Sequence, residues 1–188
     1  MLYLMLTRDY RNNNKKVLLT SFTILQDIVS NIVGEEFKVE SITKPGMEVH
    51  GYKTTPSDLI RGSKAVLFLE NGFGLELWSD KFVSNLDVKR VKISDNLKPI
   101  FIGEDVYKGK PNPHAWISPK RGTLYVDNIV KALKDLDPEN SSKFEIIKGV
   151  GEHVHVSQNS EYNINAYSAR LNFEHEKYNT KIITLFCI

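Results

Sequence analysis

Lys16-Val17-Leu18-Leu19-Thr20-Ser21-Phe22-Thr23-Ile24-Leu25-Gln26-Asp27-Ile28-Val29-Ser30-Asn31-Ile32-Val33-Gly34 carries two hydrophobic periods in succession. Val17 to Phe22 is a short apolar run, suited to a buried strand. Ile24, Leu25, Ile28, Val29, Ile32 and Val33 then recur at helical spacing, and Gly34 stands where a C-cap residue belongs. Phe37-Lys38-Val39-Glu40-Ser41-Ile42 alternates as a second strand, and Pro45-Gly46 breaks it.

The same alternation continues outward. Pro56-Ser57-Asp58 opens a short helix through Ile60, with proline at a first-turn position and an acid facing the helix dipole. Ala65-Val66-Leu67-Phe68-Leu69 reads as a third buried strand, Leu75 to Phe82 as a helix, and Val88 to Ile93 as a fourth strand. Pro119 opens a longer helix with Leu124, Tyr125, Ile129, Val130, Leu133 and Leu136 on its apolar side, stopped at Asp137-Pro138. Strands and helices alternating at this pace predict an α/β fold, an open, mostly parallel sheet flanked by helices. Ligands of such sheets sit at loops beyond the carboxyl ends of the strands. The loop after strand two holds His50, and the loop before the long helix holds His114.

The two ends of the chain read differently. Residues 1–16 begin with six apolar residues, too few for a signal-peptide core or a membrane span, and pass into a polar, asparagine-rich lead-in expected to be disordered. Residues 17–140 form the α/β lobe. Residues 141–159 have no clean period and contain Glu152-His153-Val154-His155-Val156, as in an insertion. In residues 160–188, positions 160–177 look helical, with Tyr162, Ala166, Ala169 and Phe173 recurring, and Ile182 to Ile188 is apolar and β-prone.

Composition excludes several classes. Of 188 residues, 41% are hydrophobic, which is ordinary for a globular protein. The formal net charge of +2, with lysines scattered over all elements, argues against a nucleic-acid partner. One cysteine, Cys187, excludes an internal disulfide and any cysteine-based zinc site.

Two segments carry chemistry. In Gly46-Met47-Glu48-Val49-His50-Gly51-Tyr52-Lys53-Thr54-Thr55-Pro56-Ser57-Asp58, a loop histidine precedes a helix. Imidazole is the commonest metal ligand, and a loop histidine without a ligand role is the alternative. In Pro111-Asn112-Pro113-His114-Ala115-Trp116-Ile117-Ser118-Pro119, prolines stiffen the backbone on both sides of His114, as preorganised metal binding requires. Asn112 is placed to hold the imidazole by a hydrogen bond. The alternative is a proline-rich turn anchored by a buried Trp116.

Taken together, these segments resemble the metal-specific solute-binding proteins of ABC importers, in the manganese/iron branch. The resemblance rests on Ser41-Ile42-Thr43-Lys44-Pro45-Gly46, Glu48-Val49-His50-Gly51-Tyr52, Thr55-Pro56-Ser57-Asp58, Asn71-Gly72, Leu75-Glu76-Leu77-Trp78, the Pro111 to Pro119 segment and Asp137-Pro138-Glu139-Asn140. It runs without a break from about Lys16 to Asn140. It implies the N-terminal lobe of a two-lobed protein whose lobes are joined by one long helix and clasp the metal between them. It also implies that His50 and His114 are the two ligands from this lobe, with Trp78 and Trp116 as core aromatics. The transported ion is then manganese, zinc or iron, the partner a membrane permease, and the location the periplasmic or extracellular face of the cytoplasmic membrane. After Asn140 the resemblance breaks off. The chain is therefore expected to be truncated to this lobe plus part of the linking helix, lacking the other lobe and its two ligands.

Three functions are weighed on these residues. The first is capture of a divalent transition metal for import. The second is a structural or interaction remnant without physiological metal binding. The third is a hydrolase using His50, His114 and Asp58. No nucleophile elbow, phosphate-binding glycine loop or HExxH string supports the third, so no enzymatic activity is expected. His153 and His155, with Glu152 or His175, are a further possible ligand set, against a solvated insertion as the alternative.

Overall fold

The computed structural model describes residues 15–145, 168–171 and 183–186. The chain divides into two compact units between Ile93 and Ser94, and each is taken by itself.

The first unit is built on four strands: β1 (Val17–Thr20), β2 (Lys38–Ser41), β3 (Ala65–Glu70) and β4 (Lys89–Lys92). They form one sheet in the order β2-β1-β3-β4, with every pairing parallel. The chain moves outward from β1 to β2 and then crosses to the other side of β1 for β3. The carboxyl ends of β1 and β3 therefore mark the point where the strand order reverses, where such folds bind ligands. Leu18, Leu19, Leu67, Phe68 and Leu69 are buried, as parallel strands covered on both faces require.

Helix α1 (Thr23–Val33) buries Leu25, Ile28, Val29, Ile32 and Val33, five of the six residues that the helical period selects; Ile24 is half-buried. Gly34 follows with φ +55 and gives its N–H to the Ser30 carbonyl, a left-handed exit that favours glycine. Helix α2 (Pro56–Gly62) begins with a capping box: the Thr55 side chain accepts from the Asp58 N–H, and the Asp58 carboxylate accepts from the Thr55 N–H. A core cluster of Leu19, Ile42, Ala65, Phe68 and Phe82 is lined by half-buried Tyr52, Leu59 and Trp78.

The segment from Leu75 to Phe82 departs from the expected helix. Helix α3 occupies only Ser79–Val83. The reason is Glu76, whose side chain turns back to the ends of β1 and β3 and is buried. The backbone before it is a turn through Gly72, Phe73 and Gly74, all with positive φ.

In the second unit, a short antiparallel approach of Phe101 to Pro111 leads to a 3-10 turn at Ala115–Ile117. Helix α4 (Pro119–Leu136) follows and ends at Asp137, as the sequence predicts. Tyr125, Ile129, Val130 and Leu133 on it are buried. After a 3-10 turn at Pro138–Asn140, residues 141–145 are helical, and Phe144 is buried.

Strand β5 (Ser168–Leu171) pairs antiparallel with β6 (Ile183–Phe186). The expected helix over 160–177 is thus a strand at 168–171. Tyr167-Ser168-Ala169-Arg170-Leu171 also alternates apolar and polar residues, and that period of two prevails where the apolar terminal segment offers a pairing partner. The lead-in at 1–14, most of the 141–159 segment, His153, His155, His175 and Cys187 lie outside the described residues.

Candidate metal centre

His114 sits in the second unit, exposed, just ahead of the 3-10 turn that precedes α4. Asn112 shapes its surroundings. Its own N–H is fixed to the Ile100 carbonyl at 2.7 Å. Its Oδ1 receives the His114 backbone N–H at 3.0 Å and stands 2.9 Å from His114 Nδ1. The backbone donor identifies that amide atom as the oxygen, which only accepts, so Nδ1 is the protonated ring nitrogen. The neutral ring then carries its acceptor lone pair on Nε2, the tautomer a metal ligand needs. Buried Trp116 meets the imidazole edge to face, with centroids 5.3 Å apart.

His50 sits in the first unit, also exposed. It occupies a turn closed by the Tyr52 N–H on the Val49 carbonyl at 3.4 Å, and its own N–H goes to Glu48 Oε1 at 2.7 Å. The turn is tied to the core from behind. Trp78 Nε1 donates to the Val49 carbonyl at 2.9 Å. The Tyr52 ring stands edge to face on Trp78 at 5.4 Å, Trp78 on Phe82 at 5.9 Å, and Phe82 on Phe68 at 5.5 Å. A row of aromatics thus runs from the His50 turn into the sheet core. Among the described residues, no group of three or more His, Cys, Asp or Glu side chains gathers as a metal cluster.

Residues 18–146 match the family described as zinc-uptake complex component A, periplasmic (ZnuA). The chain belongs to the ZnuA family. Among its relatives, the iron-binding protein YfeA of Yersinia pestis is 44% identical over 128 residues, covering 68% of this chain and 41% of that protein. The metal ABC transporter substrate-binding lipoprotein SloC of Streptococcus mutans is 32% identical over 178 residues, covering 90% of this chain and 53% of that one. The Mn-bound periplasmic metal binding protein of Candidatus Liberibacter asiaticus superposes with a TM-score of 0.67 at 39% identity, covering 72% of this chain and 51% of that one. The chain spans about half the length of the relatives it matches.

The first unit of this ZnuA-family chain buries the carboxyl groups of Asp58, Glu70 and Glu76. Asp58 accepts from the Thr55 N–H and hydroxyl, from Tyr52 Oη at 2.9 Å, and from Arg61. Burial pushes its pKa up, but these donors outweigh burial and hold the carboxyl below its ordinary range. Arg61 in turn donates to the Ser41 and Ile42 carbonyls, so Asp58 joins the Tyr52 ring to the end of β2.

Glu76 behaves in the opposite way. Burial raises its pKa most, nearby Glu70 adds to that, and hydrogen bonds from Ser21, Asn71 and Gly72 only partly offset the rise.

Sequence reasoning identified Asn112 but missed the Trp78 contact, treating Trp78 only as a core aromatic. It also missed Glu76. The available signal was an acid inside the otherwise apolar Leu75-Glu76-Leu77-Trp78.

Proposed function

We propose that this chain is the metal-capturing N-terminal lobe of the substrate-binding component of a divalent transition-metal ABC importer. It binds manganese, zinc or iron on the periplasmic or extracellular face of the cytoplasmic membrane and passes the ion to the membrane permease. His50 and His114 are its protein ligands. The role is binding and delivery, not catalysis.

One observation carries this reading. The stretch that matches the family holds both histidines, and at His114 the Asn112 oxygen selects the ring tautomer with its lone pair on Nε2. Relatives named for iron, for metal and for bound manganese support a transition-metal cargo, and imidazole nitrogen suits all three metals. Two imidazoles leave most of a divalent ion's coordination shell to water, and tight sites use three or four protein ligands. Binding by these two alone is therefore weak.

Delivery is tested by a chimera in which residues 17–140 replace the matching half of the Yersinia pestis relative. Metal uptake by cells that depend on the chimera is expected, and His50→Ala is expected to abolish it. Uptake indifferent to His50 and His114 contradicts the assignment.

A further inference from the structure

The turn between β3 and α3 is built around a single carboxylate. Gly72, Phe73 and Gly74 have φ of 86, 52 and 79. A phenylalanine in that region is strained, and such strain persists only where surrounding contacts enforce it. The turn closes with the Leu75 N–H on the Gly72 carbonyl at 3.1 Å.

Glu76 supplies the enforcement. Its Oε1 accepts from the Asn71 N–H at 2.8 Å and from Ser21 Oγ at 2.6 Å, and its Oε2 accepts from the Gly72 N–H at 3.1 Å. Ser21 follows β1 and Asn71 follows β3, the two central strands. Two successive backbone N–H groups form an anion-binding nest where the strand order reverses. Here the chain's own carboxylate fills that nest.

The Glu76 carbonyl accepts from the Ser79 N–H at 3.1 Å and from Ser79 Oγ at 2.8 Å, which starts α3. Trp78 lies between these anchors, and its indole N–H reaches the Val49 carbonyl beside His50.

We propose that Glu76 is a positioning residue for metal capture. Its carboxylate fixes the turn from Asn71 to Trp78, and Trp78 in turn holds the His50 turn in place. This rests on the reading of His50 as a ligand.

The test uses Glu76→Gln, which keeps volume but turns one acceptor into a donor facing a backbone N–H. Ser21→Ala, which removes one of the three hydrogen bonds, is the second variant if the first does not fold. Two readouts are taken on the full chain: hydrogen exchange of the Trp78 indole N–H, assigned with Trp78→Phe, and the midpoint of a Zn(II) titration.

In folded Glu76→Gln the indole N–H is expected to exchange about tenfold faster, and the zinc midpoint to rise several-fold. Ser21→Ala is expected to move both in the same direction by less. A folded variant with the wild-type indole exchange rate overturns the positioning role. Wild-type protein that fails to bind zinc defeats the ligand reading instead, and the indole exchange still decides the role of Glu76.

Discussion

Trp78 Nε1 donates to the Val49 carbonyl oxygen at 2.9 Å, one residue before His50. The link joins an indole packed on the core cluster to an exposed turn. Trp78→Phe removes the donor together with part of the ring that packs on Tyr52 and Phe82. It is expected to lower stability by about 1 kcal/mol and to weaken zinc binding, read by chemical denaturation and titration. Unchanged zinc affinity would show that the His50 turn holds its shape without the indole.

Asp58 makes the fold acid-sensitive. Its folded pKa is depressed, so its stabilisation is present above the unfolded value of about 3.9 and is lost as pH falls through the folded value. Glu76 has the opposite sign. Its folded pKa is raised, so its contribution is present below the unfolded value of about 4.3 and is lost as pH rises through the folded value. Asp58→Asn is expected to flatten the loss of stability between about pH 5 and pH 3. Denaturation curves across that range check it, and an acid limb as steep as in wild type would remove Asp58 as its source.

Gly62 in α2 has no room for a side chain. A Cβ there would collide with Leu86 Cδ1 and lie 2.9 Å from Phe82 Cζ. The half-buried Leu86 can yield, but the Phe82 ring is 1% exposed and enclosed by the core. Gly62→Ala gains about 1 kcal/mol of helix propensity and loses about 1–3 kcal/mol by overpacking. The net effect is a lower melting temperature. Gly103→Ala, which meets nothing within 4 Å, is expected to stay within about 0.5 kcal/mol of wild type.

Arg90 neutralises a buried acid. Its Nη2 stands 2.7 Å from Glu70 Oε1, and the Glu70 side chain is 2% exposed. Arg90→Ala leaves that carboxylate only the Lys92 ammonium, 4.0 Å away, and is expected to destabilise the protein by about 3 kcal/mol. Glu70→Gln in the same chain is expected to recover most of the loss. A double variant no more stable than Arg90→Ala would mean that packing by the arginine, not charge, carries the effect.

The sheet was legible because each of its strands is a short apolar or alternating run bounded by a breaker. Burial of α1 likewise follows the helical period, with Ile24 in its first turn left half-buried. Residues 75–82 misled because Leu75, Trp78 and Phe82 recur at helical spacing, whereas Glu76 folds back to accept hydrogen bonds from the preceding turn and from Ser21, far away in sequence. Residues 168–171 fit both periods, and only pairing with 183–186 decides between them. At the candidate site, the partner of His114 was readable, since Asn112 lies two residues away and prolines fix the loop between. The support of His50 was not, because Trp78 reaches Val49 across the fold and no local pattern encodes that contact.

The central claim is that His50 and His114 bind a divalent transition metal. The most direct measurement is calorimetric titration of Zn(II) and Mn(II) into the chain, His50→Ala and His114→Ala. Saturable binding far weaker than nanomolar, lost in either variant, is the predicted result. Binding that survives both substitutions, or nanomolar affinity in the monomer, would contradict it.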